Sequence, residues 1–356
     1  MFQVGCLKDG NFWQRQLRDR LAEPLHLNLL ALFVQLFGGF RAKVEFDLVN
    51  RRRYAFSLLK AADYAKSDGL TKIYALEFGV ADGAGLVNLA WIAGHVTRVT
   101  GVEIGLVGFD SGTGMPRPVD YRDYPEVFVE GDFPLIDRVA LERMLPESVR
   151  VIYGPVSETV RNFVETLDAP VGFISFDVVY YSSTLNAMEA LLGPADRYLP
   201  MTLVYLGSVL LDNANPAVGE LMAVREFNAE HRLRQVHPYT CLRDKRIFKN
   251  GMWLHQIYTL HVLDHPKRAG LEKLARDVCL LEQPYTLRAT ARAAAGPVGG
   301  RGSVPGQPED ATMTDFTTTQ LATILSALAG SERKPATKAD SHAGGRPARC
   351  DHRPHP

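Results

Sequence analysis

Between residues 73 and 265 the chain alternates short, uniformly apolar runs with stretches of helical periodicity. The apolar runs are IYALEFG (73–79), IGLVGFD (104–110), VRVIYG (149–154), VGFISFD (171–177), MTLVYLG (201–207) and QIYTLHVLD (256–264). A strand that is apolar on both faces must be covered on both, which is the condition of a parallel sheet between two helix layers. Helical patterns occupy 84–97, 136–145, 157–167, 183–192 and 217–231. The last apolar run follows RQVHPYTC (234–241), a further strand candidate, and leaves room for an antiparallel hairpin at one sheet edge. The pattern predicts an α/β, doubly wound, mostly parallel sheet.

The flanks read differently. Amphipathic or apolar helical patterns at 10–22, 25–38 and 51–69 predict a helical N-terminal extension over residues 1–70, before a main domain at 71–268. Within it, LNLLALFVQLFGGF (27–40) is too short to cross a bilayer and predicts a buried core helix. RRR (51–53), near Glu45 and Asp47, reads as a solvated helix start, with a phosphate patch as the alternative. A closing helix is placed at 269–285. From 286 to 356 the chain is rich in Ala, Gly, Pro, Arg and Thr and predicts a disordered tail, with a short helix at 314–330.

Composition narrows the function classes. Lys+Arg and Asp+Glu are both 40, so no net field draws the chain to nucleic acid or an anionic membrane. Four scattered cysteines without a C-x-x-C pair suit a reducing cytoplasm and argue against a disulfide framework. No secretory pattern opens the sequence, so the expectation is cytoplasmic.

The stretch LEFGVADGAGL (76–86) joins the first strand to the first main-domain helix. Its glycines, Gly79, Gly83 and Gly85, do not make G-x-G-x-x-G, and no Gly-Lys-Ser/Thr follows. The order Glu77, Gly79, Ala81, Gly83, Gly85 instead fits E-x-G-x-A-x-G-x-G, the loop expected for S-adenosylmethionine, with Glu77 facing the methionine ammonium. Asp110, ending the next strand, is placed for the ribose hydroxyls. A plain strand-to-helix turn is the alternative for this loop alone.

Taken together, ALEFGVADGAG, GFDSGTGMP and ISFDVVYYSST resemble the class I S-adenosylmethionine-dependent methyltransferases, and within them the macrocin O-methyltransferase-like group with its bacterial relatives. The resemblance covers roughly residues 22 to 268. It implies a seven-stranded Rossmann-like sheet, a cofactor loop over residues 109–116 that includes Ser111, and an adenine turn beginning at Gly154. The group typically has D-x-D after the fourth strand and an Asp pair ending the fifth, which together hold a divalent cation. Here Asp177 is followed by Val179, and Gly207 and Ser208 stand where the pair belongs. Magnesium is therefore doubtful and its ligands unknown; Asp212 and Asn213 offer a rescue if the strand runs longer or the loop folds back.

Asp177 reads as a ligand, a general base or a substrate anchor, or alternatively as the cap of the 183–192 helix; Ser182 reads as an N-cap. Tyr180 and Tyr181 are candidates for the acceptor pocket. Among the late histidines, His237 is the candidate base. The basic segment RDKRIFKNG (243–251) reads as a solvated hairpin loop, with contact to a phosphorylated or acidic acceptor as the alternative. Two functions follow. One is O-methyl transfer to a small-molecule or saccharide acceptor, with neither nucleic acid nor membrane as partner and homo-oligomerisation left open. The other is a catalytically impaired S-adenosylmethionine-binding protein or scaffold.

Overall fold

The structure, a computed structural model, describes residues 20–269 apart from 136. All lie in the first of two compact units, Met1–Asp277. The expectations for most of 10–22, the closing helix, the tail and the 314–330 helix fall outside the described residues.

The elements run α1 (Leu25–Phe37), α2 (Phe40–Glu45), α3 (Arg52–Ser67), β1 (Lys72–Phe78), α4 (Ala84–Thr100), β2 (Glu103–Asp110), α5 (Arg138–Met144), β3 (Val149–Tyr153), α6 (Val156–Thr159), β4 (Val171–Phe176), α7 (Tyr181–Met188), β5 (Tyr198–Leu206), α8 (Gly219–Glu230), β6 (Arg234–Pro238) and β7 (Ile257–Val262). The strands form one sheet in the order β3-β2-β1-β4-β5-β7-β6. The first five are mutually parallel, while β7 runs antiparallel to both β5 and β6. The antiparallel edge hairpin anticipated from 234–241 and 256–264 is present.

Alternate strand residues feed two cores. Ile73, Ala75, Phe173 and Leu203 pack under α3 and α4, with Tyr54, Leu58, Leu89 and Ile92. Leu76, Phe78, Ile174 and Val204 pack under α7 and α8, with Met188, Ala223 and Phe227. Helix α3 is thus half the cover of one sheet face and is structurally continuous with the main domain.

Two expectations are corrected. Helix α1 buries only Ala31 and Val34, leaving Leu29, Leu32, Phe33 and Leu36 exposed. Its apolar residues encircle the axis, and only one stripe can face the neighbouring α2 and Phe248. The basic segment 243–251 is not a solvated loop. Arg246 is buried and bonds Asp47 Oδ1 at 2.7 Å and Glu45 Oε2 at 2.9 Å, tying the hairpin to the N-terminal helices. No helix among the described residues is long and apolar enough to cross a membrane.

Between β2 and α5, residues 111–137 form a long excursion across the carboxyl ends of the central strands. Asp123 anchors it. Its carboxylate accepts the Ser182 backbone N–H at 2.9 Å and the Ser182 hydroxyl at 2.8 Å, and the Val119 N–H at 2.9 Å. Asp123 therefore serves the first turn of α7, the task assigned to Asp177 or Ser182 from the sequence; the sequence could not show which distant acid would reach it.

Candidate functional site

Glu77 lies one residue before the end of β1 and is buried. Its Oε1 accepts a 3.0 Å hydrogen bond from the Tyr54 hydroxyl, which lies 3.0 Å from Ser175 Oγ on β4. The first turn of α3 thereby forms a wall of the site. Glu77 Oε2 is buried and has no hydrogen-bond partner among the described residues. Burial pushes the Glu77 carboxyl up to about 8, opposed by the positive charge of Arg51 and by the Tyr54 bond.

The glycines of the loop are explained largely by close contact with other parts of the chain. A Cβ on Gly85 would collide with Glu77 Oε1, so the carboxylate lies directly against the first turn of α4. Gly79 adopts φ +88° and abuts the Asp177 carbonyl, which brings β1 and β4 together at their carboxyl ends. Ala81 sits at φ 48°, a left-handed conformation that an L-residue adopts at a cost of about 1–2 kcal/mol.

Asp110 holds that conformation. Its Oδ2 accepts the Val80 N–H at 2.9 Å and the Ala81 N–H at 2.8 Å, while Oδ1 accepts the Gly112 N–H at 2.7 Å. A carboxylate has about four acceptor sites, so three backbone donors leave room for a further one. Ser111 stays within its own loop, donating to the Gly114 carbonyl at 2.9 Å. The Gly154 N–H extends the β2–β3 ladder to the Asp110 carbonyl at 2.9 Å.

Beyond β4, Asp177 is partly buried, and burial raises its carboxyl against the pull of Arg53 and Arg51. Its Oδ1 occupies the space that a Cβ on Gly207 would need. The next residues turn sharply: Val179 adopts φ 63° and the Tyr180 N–H bonds the Val178 carbonyl at 2.7 Å, a γ-turn. A β-branched residue at positive φ is strained and needs outside support.

Glu220 is fully buried at the start of α8; its Oε2 accepts the Ser208 N–H at 2.7 Å, while its Oε1 has no hydrogen-bond partner among the described residues. A carboxylate from α8 is therefore bonded to the backbone of position 208, where the resemblance places a metal-binding acid. Burial pushes Glu220 up to about 8. Asp212 is exposed and does not fold back to the site. Among the described residues, no group of three or more His, Cys, Asp or Glu could hold a metal ion. The donors present do not fit a magnesium site.

The two tyrosines separate. Tyr180 is fully buried, with its hydroxyl unpartnered among the described residues, whereas the Tyr181 hydroxyl donates to Glu226 Oε2 at 2.6 Å and is tied to α8. His237 is exposed on β6, its ring 6.4 Å from that of His261. Three strand spacings, roughly 14 Å, separate β6 from β4, so the fold does not bring His237 to Asp177.

Arg51, Arg53, Tyr54 and Glu220 are the site residues not assigned from the sequence. The signal for Glu220 was available: it heads the apolar stripe Glu220, Ala223, Val224, Phe227, where a charged residue is out of place. Beside it, a cavity of about 310 Å³ opens at the same sheet edge, lined by Val209, Leu221, Leu254, Ile257 and Tyr258.

No protein-family model matches the chain, and no curated protein does. Solved structures with a similar fold include the calicheamicin methyltransferase CalS11, 18% identical, covering 65% of this chain and 90% of that one, at a TM-score of 0.41. Others are an O-methyltransferase from Bacillus cereus in complex with SAH (16%; 60% and 80%; 0.31) and the O-methyltransferase TomG from Streptomyces achromogenes, involved in tomaymycin synthesis, in complex with SAM (16%; 57% and 87%; 0.28). The fold itself is carried by the strand order 3-2-1-4-5-7-6 with only β7 reversed. This is the class I methyltransferase fold. In it, the ligand crevice lies beyond the carboxyl ends of β1, β2 and β4, where strand order reverses and where Glu77, Asp110 and Asp177 converge.

Proposed function

We propose that this chain is an S-adenosylmethionine-dependent methyltransferase acting on an oxygen of a small-molecule or saccharide acceptor, without a bound divalent cation. The observation that carries this reading is Glu77: a buried carboxylate under the glycine loop, fixed by Tyr54 through one oxygen, with the other unpartnered. An unsatisfied buried acceptor costs about 1–3 kcal/mol, which a donor such as the ammonium of S-adenosylmethionine removes. The cofactor supplies a methyl group made electrophilic by its sulfonium. The chain supplies position: Glu77 for the ammonium, Asp110 through its remaining acceptor site for a ribose hydroxyl, and Asp177, its carboxyl raised by burial, to take the acceptor's proton.

Glu220 supports a second reading, a protein that binds the cofactor without turning it over, because it fills with a structural bond the region where the resemblance places a metal. Isothermal titration with S-adenosylmethionine, followed by a methyl-transfer screen with and without chelator, separates the two. No binding at millimolar ligand overturns both; chelator-insensitive turnover supports the first; binding with no turnover over a broad acceptor panel favours the second.

A further inference from the structure

The first turn of α3 carries three arginines with different partners. Arg52 lies 3.9 Å from Asp47, which Arg246 and Trp253 also bond. Arg51 and Arg53 form no ion pair with any described carboxylate, and Arg53 Nε is buried without a hydrogen-bond partner. Both are only partly exposed. The Arg53 guanidinium lies 4.8 Å from the centroid of the Tyr205 ring, and that of Arg51 lies 5.5 Å from the Tyr54 ring. Tyr54 is bonded to Glu77 near the end of β1, and Tyr205 lies one residue before the end of β5. Arg53 also lies 5.6 Å from the Tyr54 ring, so the two cations sit together over the carboxyl edge of the sheet.

Aromatic contact orients a guanidinium through its face and leaves its N–H edge free for a planar oxyanion. No local acid pairs directly with them: burial raises the carboxyls of Glu77 and Asp177 against the pull of Arg51 and Arg53. The Tyr205 hydroxyl and the Gly207 carbonyl both accept from the Gln256 amide, at 3.2 and 3.0 Å, so the wall under Arg53 continues into Leu254 and Ile257 of the 310 Å³ cavity. A cationic clamp thus adjoins an apolar recess at one sheet edge.

We propose that the crevice takes an amphiphilic acid: a molecule whose carboxylate or phosphate is clamped by Arg51 and Arg53 while its apolar body lies in the cavity lined by Val209 beyond β5, Leu221 of α8, the β6–β7 connection and Ile257 of β7. That this acid is the methyl acceptor rests on the methyltransferase reading; the anion site itself rests on the arginines alone. Paired guanidiniums recognise carboxylate and phosphate by the same bidentate geometry, so the two ligand chemistries are tested side by side.

The test is calorimetric titration of benzoate, and separately of inorganic phosphate, into protein saturated with S-adenosylhomocysteine. Wild type is compared with Arg51→Gln, Arg53→Gln and Arg53→Lys, each first checked for an unchanged melting temperature. The expected result is anion binding that weakens about tenfold or more in each Gln variant and by less in Arg53→Lys, with S-adenosylhomocysteine affinity falling by a clearly smaller factor than anion affinity. Tighter binding of benzoate than of phosphate supports the apolar recess. Anion affinity that ignores the arginines overturns the proposal. So does a parallel loss of S-adenosylhomocysteine affinity, which assigns the arginines to the cofactor's own carboxylate. If S-adenosylhomocysteine fails to bind wild type, the same titration on the free protein still decides the anion site, while the methyltransferase reading falls.

Discussion

Asp177 and Gly207 occupy complementary space: the carboxylate that follows β4 fills the volume a side chain on Gly207 would take. The two positions where the resemblance calls for facing acids have become one acid and one glycine. Gly207→Asp therefore does not rebuild a metal site. We expect it to lower stability by about 1–3 kcal/mol through overpacking, with no gain of magnesium affinity by calorimetry. Asp177→Gly in the same chain should recover part of that loss, a coupling visible in a double-mutant cycle of denaturant midpoints.

Glu77 and Glu220 both have carboxyl groups raised from an ordinary 4.5 to about 8 by burial. With a raised folded-state value, the native protein binds more protons than the unfolded chain between those limits. The associated stability is complete below about pH 4.5 and is lost as pH rises toward about 8, with a slope of up to about 1.4 kcal/mol per pH unit per group. Thermal unfolding followed between about pH 5 and 8 should show the melting temperature falling, and Glu220→Gln should flatten that dependence. A flat wild-type profile contradicts the assignment.

The Tyr54 hydroxyl bridges Glu77 Oε1 and Ser175 Oγ. Tyr54→Phe leaves the carboxylate with neither oxygen bonded through that route. The expected cost is about 1–3 kcal/mol in chemical denaturation. S-adenosylmethionine affinity should fall as well, because the carboxylate loses the bond that aims it. Unchanged affinity in a folded Tyr54→Phe protein separates Glu77 from the cofactor.

Gly83 joins a backbone requirement to a steric one: its φ is +82°, and a Cβ there would strike Leu141 Cδ1 of α5. Gly83→Ala should destabilise the loop and weaken S-adenosylmethionine binding. Adding Leu141→Ala removes the clash and leaves the positive φ, so it should restore only part of the affinity. Full rescue would show that sterics alone select glycine here.

Regular periodicity made the sheet legible. Uniformly apolar runs placed β1 to β5 and β7, and the edge hairpin followed from a strand pattern after the last helix. The helix start at 51–53 was read as solvated because sequence shows which residues share a turn, and not what lies across from them. Glu77 and Tyr54 are 23 residues apart and meet through Oε1. Asp123 and Ser182 are 59 apart and meet at the start of α7. Glu220 reaches the Ser208 amide just beyond β5, a role that no spacing encodes. Asp110 was placed by its strand, but its backbone bonds were invisible in a residue string. His237 was chosen by order along the chain, and order does not report that β6 lies at the outer edge.

The bonds from Asp110 to Val80, Ala81 and Gly112 are made entirely within the chain. A binding loop that must first become ordered gives up about 1–2 kcal/mol of backbone entropy per residue at the moment of association. Here that ordering belongs to folding. The nucleotide end of a ligand should meet a preorganised surface, and its association rate should reflect how quickly the 111–137 excursion admits it.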